Sequence, residues 1–168
     1  MTRFNQADDV VAVPIPPLTY ASVDWGDFDN DGDLDVVVNT VNDFPQLLRC
    51  DSTTKNNLIK VRTIGVKSNR SGIGARIRCV TKVAGESKPH SQIDEVRSGG
   101  SYISQNDLRV HFGIGKAEKV DLLEIRWPSG QVDALKDVKA NQLVYVKEGQ
   151  GIDRTVSFDP AMKGKPLK

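Results

Sequence analysis

Sulfur is scarce in this chain. Its 168 residues include two cysteines and two methionines. Cys50 and Cys79 could form one disulfide or remain free thiols. Nothing in the sequence brings them together, and two cysteines do not decide a redox compartment. No apolar run approaches the ~20 residues that span a bilayer, which argues against membrane insertion by a helix. The opening MTRFNQADDVVAVPIPP lacks the apolar core of a signal peptide. The chain as given therefore carries no export signal, although a fragment could have lost one. Excess charge is missing too: 23 basic against 22 acidic residues leave +1. That balance supplies no global field to recruit nucleic acid or an anionic membrane.

Helical periodicity is also weak. Ala117–Lys119 and Val138–Asn141 are read as single turns at most. The rest reads as strands separated by turn residues. Short runs are expected at Val10–Val13, Tyr20–Trp25, Leu34–Thr40, Gln46–Cys50 and Leu58–Ile64. Others are expected at Arg76–Val83, Ile93–Arg97, Ser101–Ser104, Leu108–Phe112, Val120–Trp127, Val132–Leu135 and Gln142–Lys147. The clearest alternate with a period of two. In LIKVRTI, Ile59, Val61 and Thr63 share a face. Ile77, Cys79, Thr81 and Val83 oppose Arg76, Arg78 and Lys82. Leu123, Ile125 and Trp127 oppose Glu124 and Arg126. Many short strands with regular turns indicate an all-β sandwich or barrel. The polar DSTTK at 51–55 suggests a boundary. The expected parts are an N-terminal segment (1–54), a β domain (55–148) and a Gly- and Pro-containing tail or linker (149–168).

Five aspartates, Asp27, Asp29, Asp31, Asp33 and Asp35, fall within DFDNDGDLD. So many carboxylates repel one another unless a cation sits among them. Hard oxygens in a flexible loop suit Ca²⁺, which takes six to eight of them at about 2.3–2.6 Å. A helical Ca²⁺ hand needs a bidentate Glu at position twelve. Val38 stands there, and the flanks are strand-like. A β-hairpin with a Ca²⁺ loop is expected instead. Asp27, Asp29 and Asp31 would donate side chains, Asp33 its carbonyl, and Asp35 the closing carboxylate. Gly32 would allow the sharp turn. Asn30-Asp31-Gly32 alone could be an ordinary turn. Asp at positions one, three, five and nine with Gly at six is harder to obtain from turn preference.

The segment VDWGDFDNDGDLDVVV resembles an FG-GAP or VCBS repeat, the Ca²⁺-loop blade of integrin-like β-propellers. Further on, NNLIKVRTIGVKSNRSGIGARIRC, EVRSGGSYISQNDLRVHFGIG and VDLLEIRWPSGQV resemble the ASPIC/UnbV domain, which also ends the cartilage acidic protein family. The resemblance implies an extracytoplasmic protein (secreted, periplasmic or at the cell surface) without catalytic residues to carry over. It assigns the metal-ligand role to Asp27, Asp29, Asp31, Asp33 and Asp35. A propeller typically needs about four or more blades, and this chain holds one at most. It is either a fragment of a longer protein, or its hairpin docks on the second domain.

Other candidates have plainer readings. His90 and His111 would need to meet in space to form a site. Gly72-Ile73-Gly74 could cradle a phosphate, but a strand follows it, so a tight turn or bulge fits better. Arg70, Arg76, Arg97, Arg109 and Arg126 could converge near Ser98–Ser101 and bind an acidic glycan, or could be solvated strand faces and salt bridges. Trp127 reads as core, and Trp25 as packing beneath the metal loop. Together these observations describe a non-enzymatic, Ca²⁺-stabilised extracytoplasmic module for adhesion or other binding, with a protein or glycan partner and neither nucleic acid nor membrane. An accessory domain of a polysaccharide-acting enzyme and a structural cap of a propeller are the alternatives. The sequence gives no oligomeric state.

Overall fold

The computed structural model describes residues 21–41, 44–50, 56–83, 85, 87–100 and 105–158. They form eleven strands and, among the described residues, no helix. The expected strands at Val10–Val13 and Ser101–Ser104 lie outside the described residues. The chain divides into two compact units. One is Met1–Thr54, Gly99–Asp107 and Asp159–Lys168, and the other is Lys55–Ser98 and Leu108–Phe158.

In the first unit, β1 (Ala21–Gly26), β2 (Asp35–Thr40) and β3 (Gln46–Leu48) form an antiparallel sheet in that order. Trp25 pairs with Val36 and Gly26 with Asp35. The hairpin therefore closes directly around the acidic loop, as the valine-rich flanks predict. Asn106 and Asp107 brace its end. The Trp25 amide donates to Asn106 Oδ1 (3.1 Å), and the Asp107 amide donates to the Trp25 carbonyl (3.1 Å).

The second unit is a sandwich of two four-stranded sheets. One contains β4 (Asn57–Ile64), β7 (Val110–Gly115), β10 (Gln142–Lys147) and β11 (Gly151–Ser157), in the order β11-β10-β4-β7. The other contains β5 (Arg76–Thr81), β6 (His90–Glu95), β8 (Lys119–Arg126) and β9 (Val132–Lys139), in the order β6-β5-β8-β9. The period-two faces turn inward as read: Ile59, Val61, Ile77, Leu123 and Ile125 are fully buried, and Trp127 is nearly so. They join Phe112, Val120, Val144 and Val146 in one core. Each fully buried Val, Leu or Ile side chain contributes about 1.5–3 kcal/mol. The Trp127 indole N–H donates to Asp133 Oδ2 (2.7 Å), which satisfies its polar handle inside that core.

Three local readings change. The stretch after Gly149, read as a tail or linker, forms β11 through Ser157. Left-handed Gly149 and Gly151 (φ 70° and 80°) turn the chain back onto β10. Those glycines make a hairpin where they had suggested an end. Ala117–Lys119 holds no helical turn: the Ala117 amide closes the turn from Ile114 (3.1 Å to its carbonyl), and Lys119 already begins β8. Val138 and Lys139 finish β9, and the chain reverses at Asn141 (φ 57°). Asp137, also left-handed (φ 54°), interrupts the β8–β9 ladder. The buried positions change phase there, from Leu123 and Ile125 to Val120.

Cys79 lies in the core and Cys50 is half-buried, and no disulfide joins them. Burial pushes the Cys79 thiol up to about 11. Two substitutions test the packing. Leu123→Ala should cost about 2–5 kcal/mol in equilibrium denaturation, because it empties a sealed site. Gly72→Ala should cost more than the ordinary ~1 kcal/mol, because Gly72 has φ 69° and an added Cβ would stand 2.6 Å from Thr63 Cβ. A loss below that level would disprove the close approach.

Candidate metal centre

The acidic loop folds around its own carboxylates. Asn30 (φ 60°) and Gly32 (φ 105°) take left-handed backbone, which only Gly adopts freely and Asn tolerates. Those two reversals aim successive amides inward. Asp27 Oδ1 accepts from the Asp31 amide (3.1 Å) and Oδ2 from the Gly32 amide (3.1 Å). Asp35 Oδ2 accepts from Phe28 (3.0 Å) and Oδ1 from Cys50 (2.9 Å). Asp29 Oδ1 accepts from Asp31 (3.2 Å), and Asp31 Oδ1 from Asp33 (2.8 Å). Asp27, Asp31 and Asp35 are buried.

One carboxylate oxygen from each of Asp27, Asp29 and Asp35 lies within 4.8 Å of the others. Ligands on a Ca²⁺ sphere of about 2.5 Å radius are at most about 5 Å apart, so the three fit one ion. An all-carboxylate oxygen set suits a hard cation. Desolvation raises the Asp35 carboxyl to about 6 against the pull of the Cys50 and Phe28 amides, and the neighbouring Asp29 and Asp31 charges add to the rise. Burial, opposed by the Asp31 amide, likewise raises Asp29. A cation would reverse both shifts. Asp31 and Asp33 stand in the same loop but outside the three-oxygen group, and Asp33 is half-buried.

A second carboxylate, absent from the sequence reading, organises one end of the sandwich. Glu148 follows β10 and is buried at 4% exposure. Its Oε2 accepts from three consecutive amides, Val66 (2.7 Å), Lys67 (2.7 Å) and Ser68 (2.8 Å). Its Oε1 accepts from the Ser68 hydroxyl (2.8 Å) and the Ser129 hydroxyl. Consecutive amides aimed at one oxygen form an anion-holding nest. Burial is the largest single influence on Glu148 and opposes ionisation. The Ser129 hydroxyl, the Ser68 and Val66 amides and the Ser68 hydroxyl together outweigh it and hold the carboxyl at about 2. The only sequence signal was a Glu directly after a regular strand and before a turn glycine.

The remaining candidates separate. His90 pairs with Thr81 on β6, and His111 with Lys60 on β7, in different sheets. Gly72-Ile73-Gly74 is a tight turn clasped by Asn69, whose side chain accepts from the Ile73 amide (2.9 Å) and donates to its carbonyl (2.7 Å). The arginines do not converge as one group. Arg97 meets Asp94 (3.5 Å), and Arg126 meets Glu124 (2.9 Å). Arg76 and Arg126 line a shallow cavity of about 250 Å³ with Arg78. Arg70 lines a different one.

Residues 65–153 match the family model described as ASPIC and UnbV. The chain belongs to the ASPIC and UnbV family. The match contains Glu148 and most of the sandwich. Over 111 residues the chain is also 32% identical to Cartilage acidic protein 1 of Xenopus tropicalis. That alignment covers 63% of this chain and 16% of the relative, so the chain spans a small part of that protein.

In this ASPIC and UnbV sandwich, the low Glu148 value has a definite pH signature. A folded value near 2 lies below the ordinary 4.5. The stabilisation is therefore complete above about pH 4.5 and is lost as pH falls toward 2. Glu148→Gln should cost about 1–3 kcal/mol at neutral pH and flatten that acid limb in denaturation curves. An unchanged limb would show that Glu148 does not carry it.

Proposed function

We propose that this chain is a non-enzymatic, Ca²⁺-stabilised extracytoplasmic interaction module. The convergence of Asp27, Asp29 and Asp35 oxygens within 4.8 Å carries the reading. Asp27, Asp29 and Asp35 would hold the ion from their side chains, with Asp31 and the Asp33 carbonyl completing the set in a loop of FG-GAP or VCBS type. Bound Ca²⁺ would supply charge neutralisation, and the chain's own residues supply the rest. The β1–β2 register holds the loop's two ends together, and the inward amides orient Asp27 and Asp35. The relative's name ties that protein to cartilage, which supports an extracytoplasmic setting and an interaction role with a protein or glycan.

Extracellular Ca²⁺ modules bind at about 10⁻⁴–10⁻³ M. Ca²⁺ at roughly 10–100 times Kd should then stabilise the chain by about 1.4–2.7 kcal/mol, read as a melting point several degrees higher than in EDTA. Asp29→Ala should abolish the difference. The metal reading fails if neither EDTA nor Asp29→Ala moves the melting point.

A further inference from the structure

The outer face of one sandwich sheet carries an ordered row of cations. Tyr145 on β10 is in register with Arg62 on β4 on one side and with Arg154 on β11 on the other. Val61, Thr63, Val144 and Val146 point into the core. Strand alternation therefore sends Arg62, Tyr145 and Lys147 outward together. Arg154 lies over the Tyr145 ring, 4.0 Å from its centroid. Arg62 and Arg154 stand two strands apart, roughly 10 Å.

Two adjoining cavities of about 450 and 270 Å³ share Ile64, Arg70 and Asp153. Lys147 lines one, and Arg62 and Arg154 line the other. The joined groove holds four cations and one carboxylate, a net +3, in a chain whose total is +1. Among the described residues no ion pair engages Arg62, Arg70 or Lys147. The groove is also built before any ligand arrives. Arg62, Lys147 and Arg154 stand on paired strands. Arg70 sits in the loop that Glu148 clasps at Val66, Lys67 and Ser68, and the Gly65 amide holds the Arg70 carbonyl (3.0 Å).

We propose that this groove binds a sulfated or carboxylated saccharide. The proposal gives the interaction reading above its ligand class, and it rests on that reading rather than on the metal. Guanidinium forks match the two oxygens of a sulfate or carboxylate. Rigid sugar rings hold such groups at set intervals, as paired strands hold the cations, so little ordering cost is added on binding. Nucleic acid fits less well, because Arg154 already covers the Tyr145 face on which a base would stack. An acidic peptide would have to be ordered along an open groove that offers no deep apolar anchor pocket.

The probe is a heparin-derived octasaccharide, titrated against the full chain by calorimetry, once in Ca²⁺ and once in EDTA. Binding should weaken as NaCl rises. Arg62→Gln/Arg154→Gln should lower affinity at least tenfold, and Arg70→Gln/Lys147→Gln should do so by a second route. Arg62→Lys/Arg154→Lys should fall between, since it keeps charge and loses the fork. Arg76→Gln/Arg126→Gln, in the separate cavity, should stay within twofold of the parent. Melting curves confirm that each variant is folded. The proposal is overturned if the octasaccharide does not bind, or if both groove variants bind like the parent. It also falls if polyglutamate or oligo-dT of equal charge binds as tightly. Cleavage of the octasaccharide would instead sink the non-enzymatic reading. A saccharide affinity equal in Ca²⁺ and EDTA, with no Ca²⁺ effect on melting, would sink the metal reading and leave the groove standing.

Discussion

Glu148 is a carboxylate removed from water and held by backbone. Three amides on one oxygen and two hydroxyls on the other keep it ionised where burial alone would neutralise it. Glu148 itself follows β10, and its partners come from two other places, the loop after β4 and the turn after β8. Beside it, Asp133 accepts from the Trp127 indole and the Gly149 amide, which ties the same corner to the core. At the other end of β4 the fastening is neutral. Asn141 accepts from the Leu58 amide and donates to Asn57, which in turn donates to the Ala117 carbonyl. The sandwich is thus pinned at both ends by side chains that answer backbone donors and acceptors left over where strands stop.

The two acidic centres solve one problem in different ways. At Glu148, five donors serve a single carboxylate, and burial still leaves it charged. In the aspartate loop the donors are spread over several carboxylates packed within ligand distance. Amides alone therefore leave Asp29 and Asp35 raised. One centre has its charge answered within the chain, and in the other burial and neighbouring carboxylates still oppose ionisation.

The strands were legible because their inward faces repeat every second residue, as at Ile77–Thr81 and Leu123–Trp127. The acidic loop was legible as a hairpin because its residues are contiguous: Asp27 to Asp35 and the turn at Gly32 lie between two paired strands. Glu148 was not, since its backbone partners lie 80 to 82 positions away and one glutamate has no pattern. The cation row was hidden for a similar reason. Arg62 and Lys147 were each outward residues on expected strands, but only the parallel pairing of β4 with β10, in which Arg62 meets Tyr145 and Lys147 meets Ile64, puts them on neighbouring strands of one face. Strand β11 was missed because its residues are mostly exposed and carry no buried face to read.

That parallel pairing has a consequence for how the chain is made. β4 begins at Asn57, and its neighbour β10 begins at Gln142. Everything between must be synthesised before the sheet can close. Until then β4 has β7 on one side and an exposed edge of valine and isoleucine on the other. Contacts so distant in sequence slow folding, and the waiting edge is open to pairing with another chain. The end of this unit is therefore its keystone: a nascent chain stopped short of Lys147 is an unfinished and sticky sheet, whatever helix-free order it has already gained.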